Sequence, residues 1–377
     1  MNPSGSLNPS PRTLDVESLS GFDQLVRAGA RTMHGWHAQS LDLRGRAPAL
    51  AALDAEGAIF LGCTFDPGVE DSLRRRGALI FPKLEGVPFN AYRGQLYTPQ
   101  ELYAGIQHTP YEATPDALVY QWSMRPGQRH RLDATLAAAL HDHAIGDALE
   151  ELSHTVLDGG RMIVGVMGGH AAQRGSAGFA DAARLGRLLA RGGRTVATGG
   201  GPGAMEAANL GAYLSEMPEK DLREVIAELA AVPGFRPSVS AWARAAAAVV
   251  ERFPGGTLSL GIPTWFYGHE PPNYFATHIA KYFANAIREA ILLELCKGGI
   301  VFLPGSAGTI QEIFQDACEN YYGAPETMTP MVLVGREHWE HRYPAWPMLQ
   351  SLAAGKPMEQ RIFLVDSVEE ALAVLGT

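Results

Sequence analysis

From Arg161 onward the sequence alternates short apolar runs with stretches of helical periodicity, and this alternation limits the fold more than any other feature of the chain. The first run, MIVGVMGG, is almost continuously apolar and ends in glycines, which is typical of a parallel strand buried on both faces. Further runs follow, which are RTVATGGG, TLSLGI, IVFLP, PMVLVG and IFLVD. Because strands separated by helices form right-handed β-α-β units, the chain is predicted to be an α/β protein with a doubly wound, parallel, Rossmann-like sheet.

The longest helical stretch is NYFATHIAKYFANAIREAILLELCKGG, which is predicted to form one long helix. Its residues His278, Lys281, Asn285 and Arg288 would then share one polar face, because they are spaced by three or four residues. Such a face is ordinarily exposed to solvent. A helix between two strands of a covered sheet can instead turn its polar face toward a binding site, and both interpretations stay open.

Residues 216–255 lie between the second helix of this region and its third strand, and they carry two helical patterns. A crossover connection needs only one helix, so this segment is predicted to be an insertion. Its position is compatible with a lid, with an oligomer contact and with surface decoration.

The N-terminal part of the chain differs from the rest in composition. Residues 1–14 are rich in Pro, Ser and Asn and are predicted to be a disordered tail. Residues 15–155 are predicted to form an additional N-terminal α/β domain, for which regulation is the suggested role, and residues 156–377 to form the Rossmann-like domain. Within the N-terminal domain, strands are predicted over AIFLGCTF, GALIFP and DALVYQWSM, and a helix over LDATLAAALHDHAIGDALEELSHTVL.

Composition excludes several classes of function. The hydrophobic fraction of 46% and the charged fraction of 19% are those of a soluble globular protein. A net charge of -9 argues against a nucleic-acid-binding surface. The three cysteines, Cys63, Cys296 and Cys318, form no CxxC pair, which indicates a reducing compartment and no metal site. No apolar run reaches the roughly 18 residues of a membrane helix, so a cytoplasmic location without membrane association is predicted.

Glycine clusters follow the first two predicted strands of the C-terminal region. Gly168 and Gly169 do not form a GxGxxG pattern, which disfavours a redox enzyme with a dinucleotide cofactor. The second cluster is denser and directly precedes a helical stretch; it consists of Gly199, Gly200, Gly201 and Gly203. Backbone N–H groups at such a turn can approach a ligand closely, although a tight strand-to-helix turn is the simpler alternative. No GK[ST] follows, so the chain is not a P-loop ATPase.

A third glycine turn follows the apolar run IVFLP and contains Pro304, Gly305, Ser306 and Gly308. A helix is predicted to begin at Thr309. A buried strand that feeds such a turn and a helix N-terminus is a typical phosphate site, because free N–H groups and the helix dipole point at the ligand. Thr309 as N-cap and Glu312 three residues later also match a capping box, so a purely structural role for Glu312 stays open.

The segment PGSAGTIQE resembles the PGGxGTxxE signature of the LOG family, the nucleoside 5'-monophosphate phosphoribohydrolases. The second glycine cluster, with Met205, resembles the GGGxxGxM motif of the same family. Ser306 replaces a glycine of the signature and Gln311 replaces a glutamate that many members carry. Arg288 corresponds by role and approximate spacing to an arginine in the ERK-like motif of the family. The resemblance covers about residues 161–365.

This resemblance implies that the chain hydrolyses the N-glycosidic bond of nucleoside 5'-monophosphates, giving free base and ribose 5-phosphate. Glu312 and Arg288 would be the catalytic residues, and neither a metal nor an organic cofactor would be needed. Phosphate and nucleotide binding would fall to Gly168, Gly169, Gly199, Gly200, Gly201, Gly203, Met205, Lys281, Asn285, Pro304, Gly305, Ser306, Gly308 and Thr309. The family also implies a homodimer or a higher homo-oligomer.

Two other functions stay open at this point. A non-catalytic nucleotide-binding, sensing or carrier protein would keep the glycine turns, but it would need neither Glu312 nor Arg288. A cytokinin-activating phosphoribohydrolase would share the whole signature. The chain is longer than the compact cytokinin-activating members of the family, which favours general nucleotide salvage or degradation.

Overall fold

The computed structural model describes residues 13–266 and 270–376. The chain divides into two compact units, of which the first comprises Met1–Gly94 with Leu132–Ala144 and the second Gln95–Arg131 with Ile145–Thr377. This division differs from the predicted domain boundary, because Gln95–Arg131 belongs to the second unit. Most of the predicted disordered tail, residues 1–12, lies outside the described residues.

The first unit contains a four-stranded parallel sheet in which the strands follow each other in chain order. The strands are β1 (Leu14–Val16), β2 (Trp36–Gln39), β3 (Ile59–Leu61) and β4 (Leu79–Phe81), and the helices between them are α1 (Leu19–Arg27), α2 (Ala47–Ala52) and α3 (Val69–Arg75). Its core includes Phe22, Trp36 and Phe60, with the rings of Phe22 and Trp36 packed edge to face at 6.1 Å. The predicted strands AIFLGCTF and GALIFP correspond to β3 and β4.

The predicted strand over DALVYQWSM is wrong, because Pro115–Ser123 forms helix α5. The Thr114 side chain accepts a hydrogen bond from the Ala117 N–H group, and Pro115 occupies the first helical turn. Both features favour a helix start, since the N-cap satisfies a free N–H group and proline has none to satisfy. Helix α4 (Pro99–Leu102) precedes this segment and helix α6 (Leu132–Asp158) follows it. Helix α6 corresponds to the helix predicted over LDATLAAALHDHAIGDALEELSHTVL.

The second unit contains a seven-stranded sheet in which every described strand pairing is parallel, as predicted for a doubly wound fold. Its strands are β5 (Ile163–Met167), β6 (Thr195–Thr198), β7 (Ser259–Gly261), β8 (His278–Ile279), β9 (Ile300–Phe302), β10 (Met331–Val334) and β11 (Ile362–Val365). They are arranged in the order β11-β10-β9-β5-β6-β7-β8. The order reverses between β9 and β5, which is the place where ligands bind in such sheets.

Helices cover this sheet between successive strands. They are α7 (Ala177–Arg191), α8 (Ala204–Tyr213), α9 (Glu219–Leu229), α10 (Val239–Arg252), α11 (Asn285–Leu295), α12 (Ala307–Tyr322), α13 (Ala345–Ala353) and α14 (Val368–Leu375). A π-helix, Glu337–Arg342, follows β10. The two helical patterns predicted for residues 216–255 correspond to α9 and α10.

The prediction of one long helix from Asn273 to Gly299 is wrong. The Asn273 side chain accepts hydrogen bonds from the N–H groups of Phe275 and Ala276, which turns the chain, and strand β8 follows. The helical part begins only at Asn285. His278, Lys281, Asn285 and Arg288 therefore do not share a helix face, since only the last two belong to α11.

Helix α10 of the insertion is packed into the body of the second unit. Its Trp242 is completely buried, and the Trp242 carbonyl accepts a hydrogen bond from Arg174 at 3.1 Å. Arg174 also pairs with Glu206 of α8, and both side chains are buried. The role of the insertion as a lid, an oligomer contact or surface decoration stays a prediction.

Helices α7 and α8 pack so closely that glycine is required at the crossing. A Cβ atom at Gly211 would overlap the carbonyl oxygen of Ala183, and one at Gly186 would overlap the carbonyl oxygen of Ala208. Backbone atoms cannot move aside as a side chain can, so the two helices have to separate if either glycine is replaced.

We expect Gly211→Ala to lower the free energy of unfolding by about 3 kcal/mol or more, because overpacking against backbone forces α7 and α8 apart. Urea denaturation measures the change. Gly178→Ala in α7 is the matched control, since a Cβ atom there has nothing within 4 Å and alanine favours helix by up to about 1 kcal/mol. Equal midpoints for the two variants would contradict the close crossing.

Candidate functional site

A cavity of about 410 Å³ opens at the carboxyl ends of the central strands in the second unit. It is lined by Gly168, Gly169, His170, Gly199, Gly201, Met205, Pro263, Thr264, Glu270, Arg288, Glu289, Ser306, Ala307, Gly308, Thr309, Gln311 and Glu312. These residues follow β5, β6, β7 and β9 or belong to α11 and α12. The cavity thus lies at the reversal of strand order, and all three predicted glycine turns contribute to it.

The first two glycine turns touch each other through backbone atoms. Gly203 has a φ of +77°, and a Cβ atom there would lie 2.7 Å from the carbonyl carbon of His170. The Ala204 N–H group, at the start of α8, donates to the Gly169 carbonyl at 3.2 Å. Glycine at position 203 is needed both for the left-handed backbone and for this approach. Gly203 therefore supports the cavity wall and does not itself line the cavity.

The third turn leads into α12 two residues earlier than predicted. The helix begins at Ala307 with Ser306 at the N-cap, and the Ser306 side chain makes no capping hydrogen bond. Thr309 is thus inside the first turn, and the predicted capping box between Thr309 and Glu312 is wrong. Glu312 therefore takes part in no capping box; it lies further along the helix and is 8% exposed.

The N-terminus of α12 presents backbone donors to the cavity. Ser306, Ala307 and Gly308 are exposed and line the cavity wall. N–H groups in the first turn of a helix have no acceptor within the helix, and the helix dipole adds positive potential there. A Cβ atom at Gly308 would have nothing within 4 Å, so this side of the turn is open space. The arrangement suits an anion such as a phosphate group.

Arg288 and Glu312, the two predicted catalytic residues, meet at the cavity wall. The Arg288 Nη1 atom lies 3.5 Å from Glu312 Oε1, and both residues are 8% exposed. Arg288 Nη2 donates to Asn285 Oδ1 at 3.0 Å and to Glu289 Oε1 at 3.3 Å. The guanidinium is therefore held from several sides, and its direction toward Glu312 is set before any ligand binds.

The Glu312 carboxyl group has an unusual proton affinity. Burial raises its pKa to about 7, against the opposing effect of Arg288, and the nearby charges of Glu289 and Glu270 raise it further. A carboxyl group with a pKa near neutrality can take up and release a proton at physiological pH. Perturbed groups of this kind in a cavity are typical of functional sites.

Several of the predicted ligand-binding residues lie behind the cavity wall. Gly200, Gly203, Asn285, Pro304 and Gly305 are next to lining residues in the chain or in contact with them, but they do not line the cavity. Asn285, for example, orients Arg288 through its side-chain oxygen. The predicted binding residues that line the cavity are Gly168, Gly169, Gly199, Gly201, Met205, Ser306, Gly308 and Thr309.

Lys281 does not belong to a helix, contrary to the prediction of one long helix. Its ammonium group is completely buried and donates to Asp116 Oδ1 at 2.6 Å, and the Trp265 indole donates to the same oxygen at 2.9 Å. Tyr111 donates to the second Asp116 oxygen at 2.5 Å. Burial lowers the pKa of Lys281, and Asp116 opposes that effect. Lys281 thus belongs to a buried polar cluster and does not line the cavity.

Some lining residues were not found by sequence reasoning. His170 directly follows the first glycine pair, and its Nδ1 atom lies 3.4 Å from Glu270 Oε1. Glu289 accepts a hydrogen bond from Gln311 at 2.5 Å. Gln311 lies inside the signature, but neither residue was predicted to line the site. Pro263, Thr264 and Ala307 complete the set. Among residues 13–266 and 270–376, no cluster of His, Cys, Asp or Glu side chains is suited to hold a metal ion.

The raised pKa of Glu312 predicts how stability depends on pH. The folded protein keeps the Glu312 proton up to about pH 7, whereas the unfolded chain releases it near pH 4.5. The contribution of Glu312 to the free energy of unfolding therefore falls as the pH rises between these two values. Glu312→Gln removes the titration. We expect the stability of the variant relative to wild type to increase between pH 5 and pH 8 by on the order of 2 kcal/mol.

Urea unfolding of both proteins at the two pH values measures this difference. Glu224→Gln on α9 is the control, because Glu224 is exposed and its replacement should shift stability equally at both pH values. A Glu312→Gln effect that is the same at pH 5 and pH 8 would show that Glu312 titrates normally.

One protein-family model matches part of the second unit. The model of the SLOG cluster4 family, LDcluster4, matches residues 161–216, which run from β5 to just beyond α8. No curated protein matches the chain. No helix in the described part of the chain is long and apolar enough to cross a membrane.

Among solved structures, the chain is similar to the molybdenum cofactor binding protein from the phototrophic bacterium Rippkaea orientalis, with 17% identity, a TM-score of 0.35 and coverage of 57% of this chain and 96% of that chain. The molybdenum cofactor carrier protein from Chlamydomonas reinhardtii matches with 18% identity, a TM-score of 0.36 and coverage of 58% and 99%. A second structure of that carrier matches with 19% identity, a TM-score of 0.34 and coverage of 57% of this chain and 96% of that chain. Similarity at this level carries no argument about function. The match to the SLOG cluster4 family model covers residues 161–216, and these comparisons support no finer family assignment.

Proposed function

We propose that this protein hydrolyses the N-glycosidic bond of nucleoside 5'-monophosphates and releases free base and ribose 5-phosphate. One observation carries the proposal: a single cavity is lined both by the N-terminal turn of α12 and by the buried pair of Arg288 and Glu312. The first element suits a phosphate and the second suits a carbon that becomes positively charged.

The phosphate would bind to the N–H groups of the α12 turn. Ser306, Ala307 and Gly308 line the cavity there, and the helix dipole favours a negative charge at this end. Gly168 and Gly169 also line the cavity and lie next to this turn, where Gly169 donates its N–H group to the Pro304 carbonyl at 3.1 Å. Binding energy from the phosphate would position the sugar for the reaction, although the phosphate itself does not react.

Glu312 would act on the glycosidic bond. Breaking this bond gives C1' the character of an oxocarbenium ion, and a carboxylate beside it lowers the barrier by stabilising positive charge. In its ionised form Glu312 would also accept a proton from the attacking water, which its pKa of about 7 permits near neutral pH.

Arg288 would keep Glu312 in place and contact the bound nucleotide. Its Nη2 atom is occupied by Asn285 and Glu289, while Nη1 lies 3.5 Å from Glu312 Oε1 and close to Gly199 on the cavity side. A nearby cation favours the ionised carboxylate, and a planar guanidinium holds a fixed direction toward oxygen ligands.

Glu312→Gln should abolish base release while nucleotide binding stays within a few-fold of wild type. The amide keeps the shape of the side chain but loses the charge and the proton acceptor, a loss of on the order of 100-fold or more in kcat. Chromatography of free base measures turnover over a panel of monophosphates that includes an N6-substituted adenine nucleotide, and calorimetry measures binding.

The control for this variant is again Glu224→Gln, which should retain full turnover. Wild-type turnover by the Glu312→Gln variant would rule out a catalytic role for Glu312. Tight nucleotide binding without base release by the wild-type protein would establish a binding protein in place of a hydrolase.

The phosphate site proposed at the N-terminal turn of α12 predicts a strong preference for phosphorylated substrates. AMP should be hydrolysed with a kcat/KM at least about 100-fold higher than adenosine, because the nucleoside lacks the remote group whose binding positions the sugar. Steady-state kinetics on matched pairs of nucleotide and nucleoside test this preference. Similar kcat/KM values within each pair would place the phosphate outside the cavity.

A further inference from the structure

His338 lies behind the third glycine turn and contacts it through a single ring nitrogen. It belongs to the π-helix Glu337–Arg342, which follows β10, the neighbour of β9 in the sheet. Its Nε2 atom is 2.7 Å from the Gly305 carbonyl oxygen and 3.2 Å from the Gly305 nitrogen. The ring also packs against Trp339 at 4.6 Å and Tyr343 at 5.4 Å, so its position is fixed from the side.

One ring nitrogen cannot make both of these hydrogen bonds at once. A protonated Nε2 donates to the carbonyl, whereas an unprotonated Nε2 accepts from the N–H group. The distance of 2.7 Å to the oxygen is short for a nitrogen donor, and 3.2 Å to the Gly305 nitrogen is at the long end of the range. The geometry therefore favours donation from His338 Nε2 to the Gly305 carbonyl.

The direction of this carbonyl determines where the next N–H group points. The Gly305 carbonyl and the Ser306 N–H group belong to the same peptide, and in a trans peptide they point in opposite directions. Gly305 is buried next to His338, whereas Ser306 is exposed and lines the cavity. A carbonyl held toward His338 therefore directs the Ser306 N–H group toward the cavity.

The alternative orientation of this peptide would oppose anion binding. Glycine has little intrinsic barrier against a change of backbone angles, so the peptide after Gly305 needs an external contact to stay in one orientation. If the peptide flipped, a carbonyl oxygen with partial negative charge would replace a donor at the cavity wall, next to the N-terminus of α12. π-helical turns are rare and often occur at functional sites, and here the π-helix carries the contact.

We infer that His338 is a positioning residue that locks the Gly305–Ser306 peptide in the orientation that donates to the phosphate. The inference rests on the proposed function for the identity of the anion. It assigns to His338 a task that depends on a donor at Nε2 and on no contact with the substrate.

The test compares two replacements of similar size. His338→Gln keeps an N–H donor at a similar distance along the side chain, whereas His338→Phe keeps the ring and removes the donor. We expect His338→Phe to bind AMP about tenfold more weakly, the scale of one hydrogen bond to a charged group, with adenosine affinity unchanged. His338→Gln should bind AMP within about threefold of wild type.

Isothermal titration with AMP, adenosine and inorganic phosphate measures these affinities, with every protein carrying Glu312→Gln so that AMP is bound but not hydrolysed. His341→Ala, on the exposed part of the same π-helix, is the control and should leave all three affinities unchanged. The inference about His338 would be overturned if His338→Phe lost AMP and adenosine affinity equally, or if His338→Gln bound AMP as weakly as His338→Phe. Either result would leave the proposed function untouched. Equal wild-type affinities for AMP and adenosine would instead remove the phosphate site on which the proposed function depends.

Discussion

The site depends on one buried cation. Arg288 carries the only positive charge of a Lys or Arg side chain among the described cavity-lining residues, where it faces the carboxylates of Glu289 and Glu312. Burying a carboxylate without a partner is costly, and two of them side by side repel each other. Burial of Glu312 raises its pKa to about 7 and Arg288 offsets only part of that effect, so Glu312 keeps its proton to a higher pH than an exposed glutamate. The chemistry proposed for Glu312 thus follows from burial that one nearby cation does not fully offset.

The sequence predicted the α/β fold class and the positions of the glycine turns, because both depend on local signals. Buried parallel strands are read from continuous apolar runs, and the glycine turns mark the places where backbone approaches backbone or ligand. Gly203 is an example, although it supports the wall of the cavity from behind. Arg288 and Glu312 were paired from the family resemblance, and the structure brings them to 3.5 Å.

The errors of sequence reasoning have a common physical cause, which is that contacts distant in sequence override periodicity. The stretch after Asn273 has helical spacing, yet Asn273 itself caps a turn and Lys281 leaves the pattern to pair with Asp116, a partner 165 positions away. The helix in place of the DALVYQWSM strand buries that same Asp116. His338 was missed for a related reason, since nothing near it in sequence indicates that it reaches Gly305, 33 positions earlier.

The buried polar cluster around Asp116 also constrains which segments of this chain can be lost in the course of evolution. Lys281 sits in the strand-bearing part of the second unit, and its counter-charge comes from Gln95–Arg131, which precedes the whole seven-stranded sheet in the chain. A shortened descendant that kept only the sheet and its helices would leave Lys281 without its carboxylate partner, and wherever the ammonium group stayed buried this would cost several kcal/mol. Loss of that early segment would therefore have to be accompanied, or preceded, by replacement of Lys281 with an uncharged residue.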